Sequence, residues 1–128
     1  MPPLTLQLIA EELAVCRLAP HAPCPSWADS LIFSSVTRTR DELSIICPAR
    51  QVPADSGAET GWRGLKFCGP FAFDAIGIMN AVTAPLARAG LSLLAISTYD
   101  TDYVLVKAAR LAEVVQVLQA AGHEVRDS

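Results

Sequence analysis

No stretch of this 128-residue chain approaches the roughly 18 consecutive apolar residues that a membrane-crossing helix needs. Its first residues, Met1-Pro2-Pro3-Leu4-Thr5-Leu6-Gln7, lack the basic start and long apolar core of a secretory signal. A soluble cytoplasmic protein, not a membrane partner, is the expectation. Basic residues are few and scattered, 10 Lys and Arg against 13 Asp and Glu, for a formal net charge of −3. Without a basic run or basic residues interleaved with aromatics, nothing points to nucleic acid. Cysteine is sparse as well. Cys16, Cys24, Cys47 and Cys68 form no C-x-x-C pair, and with His21 and His123 they miss the usual zinc spacings. No metal and no cofactor are expected, and the thiols read as structural, with Cys16, Cys47 and Cys68 in or beside apolar runs. Catalytic signatures are missing too: no G-x-S-x-G, phosphate loop or dinucleotide fingerprint. Ser34, Ser35, Ser97 and Thr98 lack a histidine–acid constellation, because His21 falls in a proline loop and His123 near the C-terminus. No catalytic residues and no enzyme activity are expected.

What the chain does have is a hydrophobic content of 52% with only 18% charged residues, the balance of a well-buried fold. Its length suits one compact domain or two very small ones. Leu4 to Leu8 alternates like a half-buried strand, and Leu13 to Leu18 is a second strand closed by Pro20. The proline-punctuated stretch His21 to Ser26 has room for at most one helical turn around Trp27. Leu31 to Thr37 and Leu43 to Cys47 read as strands joined by the polar turn Arg38 to Asp41. Pro48 to Gly61, rich in Pro, Gly, Ser and Asp, reads as a loop and marks the boundary between two halves, 1–61 and 62–128.

The second half is more regular. Leu65 to Cys68 is a strand stopped by Gly69-Pro70. After Asp74 a helical pattern places Ile78, Val82 and Leu86 four apart, with Pro85 expected to kink or shorten it and Gly90 to end it. Leu91 to Thr98 and Asp102 to Val106 are strands. Leu111, Val114, Val115 and Leu118 mark a one-faced helix, followed by His123-Glu124-Val125 as a short strand. The order is βαββαβ, an α+β unit with helices on one face of an antiparallel sheet.

The first half repeats part of this unit. Val15-Cys16-Arg17-Leu18-Ala19-Pro20 aligns with Leu65-Lys66-Phe67-Cys68-Gly69-Pro70. Phe33 to Thr37 aligns with Leu93 to Ser97, and Glu42 to Ile46 with Asp102 to Val106. The spacing predicts a degenerate first copy that has lost most of its first helix and has little room for its second. Leu4 to Leu8 is the candidate for its missing strand.

In the second half, Gly69 to Ile78, Ala84 to Ser92 and Ile96 to Val106 occur in an order that resembles the ACT-domain family, in the branch of the cytosolic arginine sensors. The first half resembles it more weakly through Cys16 to Pro20 and Phe33 to Thr39. The resemblance implies a tandem pair of ferredoxin-like ACT units that do no chemistry. They would bind an amino acid or similar metabolite and pass the binding state to a partner. It also implies the ligand contacts: Ala72, Phe73, Asp74, Ala75, Ile76 and Gly77 from the loop before the first helix, then Thr98, Tyr99 and Asp102. Ser92 and Leu93 would come from a neighbouring unit, so a homodimer is implied as well. The sensors carry an additional acidic residue where Ala75 stands, so the resemblance implies a pocket without fixing arginine as its ligand.

Residue chemistry agrees with that location. A helix N-terminus presents unpaired N–H groups and a partial positive charge to a ligand carboxylate. Asp102 offers a charge-assisted bond to an ammonium or guanidinium, with hydroxyl and stacking contacts from Thr98 and Tyr99. Plainer roles exist for each. Asp74 is a natural helix cap, Asp100 a turn residue, Tyr103 a packing residue, and Trp27 and Trp62 fit either core or interface. The competing function is a structural or oligomerisation module that has lost its ligand.

Overall fold

The computed structural model describes residues 3–127 apart from residue 73. Two compact units divide the chain. Met1–Ala10 join Arg63–Ser128 in one, and Glu11–Trp62 form the other.

The larger unit is built on β5 (Glu59–Phe67), α1 (Ile78–Arg88), β6 (Leu93–Ser97), β7 (Asp102–Lys107), α2 (Leu111–Ala120) and β8 (Glu124–Arg126). Its strand order is β6-β7-β5-β1-β8, where β1 is Thr5–Leu8. The N-terminal strand therefore serves this unit and not the shorter one. It runs antiparallel to β5, with Leu6 opposite Phe67, and parallel to β8, with Leu6 opposite Val125. Burial explains the placement: Leu4 and Leu6 enter the same core as Leu65, Phe67, Val104 and Val106, which α1 covers through Val82 and Leu86 and α2 through Val114 and Leu118. The βαββαβ order and the α+β class expected from the sequence are both present.

Within the shorter unit, β2 (Leu13–Leu18), β3 (Ser35–Arg38) and β4 (Leu43–Pro48) are joined by the first residues of β5. The order β5-β2-β4-β3 is antiparallel throughout. Numbered along the chain, that order is 4-1-3-2, and β8, β5, β7 and β6 follow the same order with β1 inserted between β8 and β5. Where helices would cross, the shorter unit has single 3-10 turns at Ser26–Ala28 and Ala49–Gln51. Trp27 lies in the first of these and packs on a core of Ala14, Cys16, Leu43, Ile45 and Cys47. Trp62 is buried, whereas Trp27 is partly buried against that core.

Several local expectations shift. The strand expected from Leu31 begins only at Ser35, leaving Leu31 fully exposed and Ile32 partly so. β5 starts at Glu59, inside the stretch read as a loop, because Glu59 and Thr60 carry no apolar signal, yet Glu59 pairs with Val15 of β2. The missing fourth strand of the shorter unit is thus supplied by β5. Helix α1 runs through Pro85 to Arg88. Pro85 has no N–H for the carbonyl of Ala81, four residues back, and His123 Nε2 lies 2.9 Å from that oxygen. The lost helical bond has a replacement, so the helix continues.

Candidate functional site

The hairpin between β6 and β7 forms one side of the expected site. Ser97 and Asp102 stand opposite each other in register, and the Ser97 hydroxyl donates to the Asp102 carboxylate. Between them the chain turns on Thr98 and Thr101. Thr98 N–H donates to Thr101 O at 2.8 Å, and Thr98 Oγ1 bonds both the carbonyl and the N–H of Thr101. The buried Thr101 hydroxyl donates to Phe67 O, tying the turn to the end of β5. Phe71 N–H donates to Asp100 O at 3.0 Å, which fixes the loop after β5 against the same turn.

Side-chain hydroxyls that bond their own turn are thus the local cause of the site's shape. They hold a cavity of about 180 Å³ on the helix side of the sheet, lined by Phe71, Ala72, Ala75 and Ile78 from one segment and by Ser97 to Asp102 from the other. Of the expected ligand residues, Ala72, Ala75, Thr98, Tyr99 and Asp102 meet there. Ile76 is 91% exposed and Tyr99 78% exposed. Ser92 is exposed and Leu93 packs on the core, and neither lines the cavity in the single chain. Phe73 lies outside the described residues.

Asp74 is not the helix cap. It occupies a turn in which Ala75 N–H donates to Ala72 O, and α1 begins four residues later at Ile78. Gly77 is the cap, at φ 84°, a left-handed conformation that glycine adopts at little cost and aspartate does not. Among the described residues no side chain caps this end, so the first N–H groups of α1 lack helical partners, and Ile78 of that first turn lines the cavity.

Sequence reasoning missed Phe71, Ile78, Ser97, Asp100 and Thr101 as lining residues. The signal for Ser97 was available, since two hydrogen-bonding side chains at facing ends of a hairpin meet across the ladder. Asp100 read as a turn residue because its backbone does make the turn.

Cys16 and Cys47 are buried, while Cys24 and Cys68 are exposed. Cys68 therefore departs from the expected apolar setting: it follows β5 on the face opposite Phe67. Burial raises the pKa of Cys16. Burial, with Cys16 adding to it, pushes Cys47 up to about 11. Among the described residues no group of His, Cys, Asp and Glu could hold a metal ion, and no helix is long and apolar enough to cross a membrane.

A family model for the ACT domain matches residues 57–120, and a second model, for an N-terminal domain, matches residues 11–55. The cytosolic arginine sensor for mTORC1 subunit 1 of Bos taurus is 30% identical over 91% of this chain, and that of Homo sapiens 32% identical over 79%. The chain spans only 40% and 32% of those two relatives. Among solved structures, protein Atu0741 from Agrobacterium tumefaciens is 38% identical, with a TM-score of 0.94, and covers 100% of this chain and 96% of its own. The aspartate kinase of Clostridium acetobutylicum shares the fold at TM-score 0.68 and 10% identity, over 91% of this chain and 34% of the kinase. The chain belongs to the ACT-domain family, in the branch that includes the cytosolic arginine sensors.

Proposed function

We propose that the protein is a non-catalytic, cytoplasmic regulatory module that binds a free amino acid in the cavity beside Asp102. The observation that carries this reading is the convergence of two opposite poles on one concavity. The uncapped start of α1 suits a carboxylate, and Asp102 suits an ammonium or guanidinium. Ala72 and Ala75 line the cavity from the loop side, and the family resemblance alone adds Phe73, Asp74, Ile76 and Gly77. The tandem reading belongs to the same proposal: the 4-1-3-2 order of the Glu11–Trp62 unit supports a degenerate ACT copy whose helices have shrunk to single turns. A role without chemistry is supported by His123, whose two ring nitrogens are both taken up by backbone groups.

The exposed Tyr99 at the cavity and the exposed Ile76 on the loop before α1 favour a homodimer in which a second copy covers them and brings Ser92 and Leu93 to the ligand. The same exposure supports the competing function, an assembly module without a ligand, and one experiment separates the two. Thermal unfolding is measured with each of the twenty amino acids at millimolar concentration, for the parent and for Asp102→Ala. Binding to the folded state raises the midpoint by mass action, by about 2.7 kcal/mol of stability at a hundredfold excess over the dissociation constant. The expected outcome is a shift with one amino acid that disappears in Asp102→Ala while the fold survives. A dimer that shifts with none of them leaves the assembly module standing.

A further inference from the structure

The same turn closes a second and larger hollow. On β5, Leu65 and Phe67 point into the core beneath the helices, so Lys66 and the following Cys68 face the other side of the sheet. Gln7 on β1 stands beside Lys66 in register, and Tyr103 on β7 shares their face because Val104 belongs to the core. At the end of this face, Gly69 and the turn carrying Asp100 close off a cavity of about 370 Å³, roughly twice the helix-side one. That volume falls in the range of small-molecule pockets.

The wall is chemically specific. Gln7 is held in place because its Nε2 donates to Leu8 O at 3.3 Å and to Arg126 O at 3.4 Å. Among the described residues, neither the Lys66 ammonium nor the Asp100 carboxylate has an ion-pair partner, and the two do not pair with each other. A face that was only solvated would need no concavity and would let such charges pair or splay. Opposite charges that line one hollow without pairing suit a molecule that carries both signs.

We infer that the sheet face turned away from α1 and α2 carries a second small-molecule site, for a zwitterionic metabolite of amino-acid size. Its carboxylate meets Lys66 and its cationic group meets Asp100. The turn residues Thr98, Asp100 and Thr101 line both cavities, while Gln7, Lys66, Cys68 and Tyr103 line only this one and Ala72, Ala75, Ile78 and Asp102 only the other.

Cys68 lines this cavity and supplies its own reporter. The full chain is treated with iodoacetamide in the presence of each amino acid in turn, and modification is followed by peptide mass spectrometry, with exposed Cys24 as the internal control. An occupant slows modification of Cys68 by one plus the ratio of its concentration to its dissociation constant, about tenfold at roughly ten times that constant. Cys24 is expected to keep its rate. Protection, taken as the ratio of rates with and without the amino acid, is expected to vanish in Lys66→Met and to persist in Asp102→Ala. Should Lys66→Met fail to fold, Asp100→Asn carries the same expected loss. The inference is overturned if no amino acid protects Cys68, or if protection survives the loss of Lys66. It is overturned equally if protection disappears with Asp102, since the amino acid would then occupy the helix-side cavity.

Discussion

His123 Nδ1 accepts the N–H of Leu4 at 3.0 Å, which leaves the ring hydrogen on Nε2 to donate to Ala81 O. One buried imidazole thereby joins the N-terminal strand, helix α1 and the start of β8. In His123→Ala both backbone partners stay buried without it, at about 1–3 kcal/mol for each orphaned group. A fall of about 2–4 kcal/mol in unfolding free energy is expected, read from the urea midpoint. Cys47 shows a different residue-scale effect. Its thiol is held up to about 11 in the fold, against an ordinary value of 9.0. Above pH 9 the unfolded chain loses this proton before the folded one does, so stability that is complete below pH 9 drains away as pH rises toward 11. Cys47→Ala should flatten this alkaline decline by about 2 kcal/mol in urea titrations compared between pH 8 and pH 11. At neutral pH, a thiol reagent should find Cys24 and Cys68 quickly and the buried pair only on unfolding.

At the scale of elements, α1 shows what the sequence could and could not reveal. The spacing of Ile78, Val82 and Leu86 located the helix and its buried face correctly, because burial repeats with the helical period. Its start was misplaced because Asp74 has the chemistry of a cap, whereas Gly77 holds that position through a backbone angle that no composition displays. Pro85, expected to kink or shorten the helix, does not cut it short, for a non-local reason: the acceptor it abandons is satisfied by His123, 38 residues further on. A double-mutant cycle tests that account. In Pro85→Ala the restored N–H can reach Ala81 O, so it should offset part of the His123→Ala loss, with a coupling of about 0.5–1 kcal/mol. Exact additivity would show that the two residues act independently. The site divides in the same way. The Ser97 to Asp102 hairpin was legible because both flanking strands and the polar turn are local, and five of the eleven expected residues line its cavity. The larger cavity was not, since Gln7 and Lys66 are neighbours only through strand pairing across 59 residues.

For the molecule as a whole, strand β1 matters most, because it ties the beginning of the chain to its end. β8 has β1 as its neighbour in the sheet order, and β1 fills the place beside β5 that the last strand would hold in the 4-1-3-2 order of the shorter unit. Leu4 and Leu6 are buried in the same core as both helices, and each apolar side chain of that size contributes about 1.5–3 kcal/mol when fully buried. Cutting the chain between residues 61 and 62, where the composition changes, therefore removes a central strand from the unit that holds both cavities. An excised chain of residues 62–128 is expected to lack cooperative unfolding, since it loses two core leucines, the β1 ladder and the Leu4 bond to His123. Joining residues 63–128 by a flexible linker to residues 1–10 restores all three, and this permuted chain is expected to unfold in a single sharp urea transition. The reverse result, a cooperative 62–128 chain, would mean that β8 can take the place of β1 beside β5 and that the first ten residues are an addition to a unit already complete.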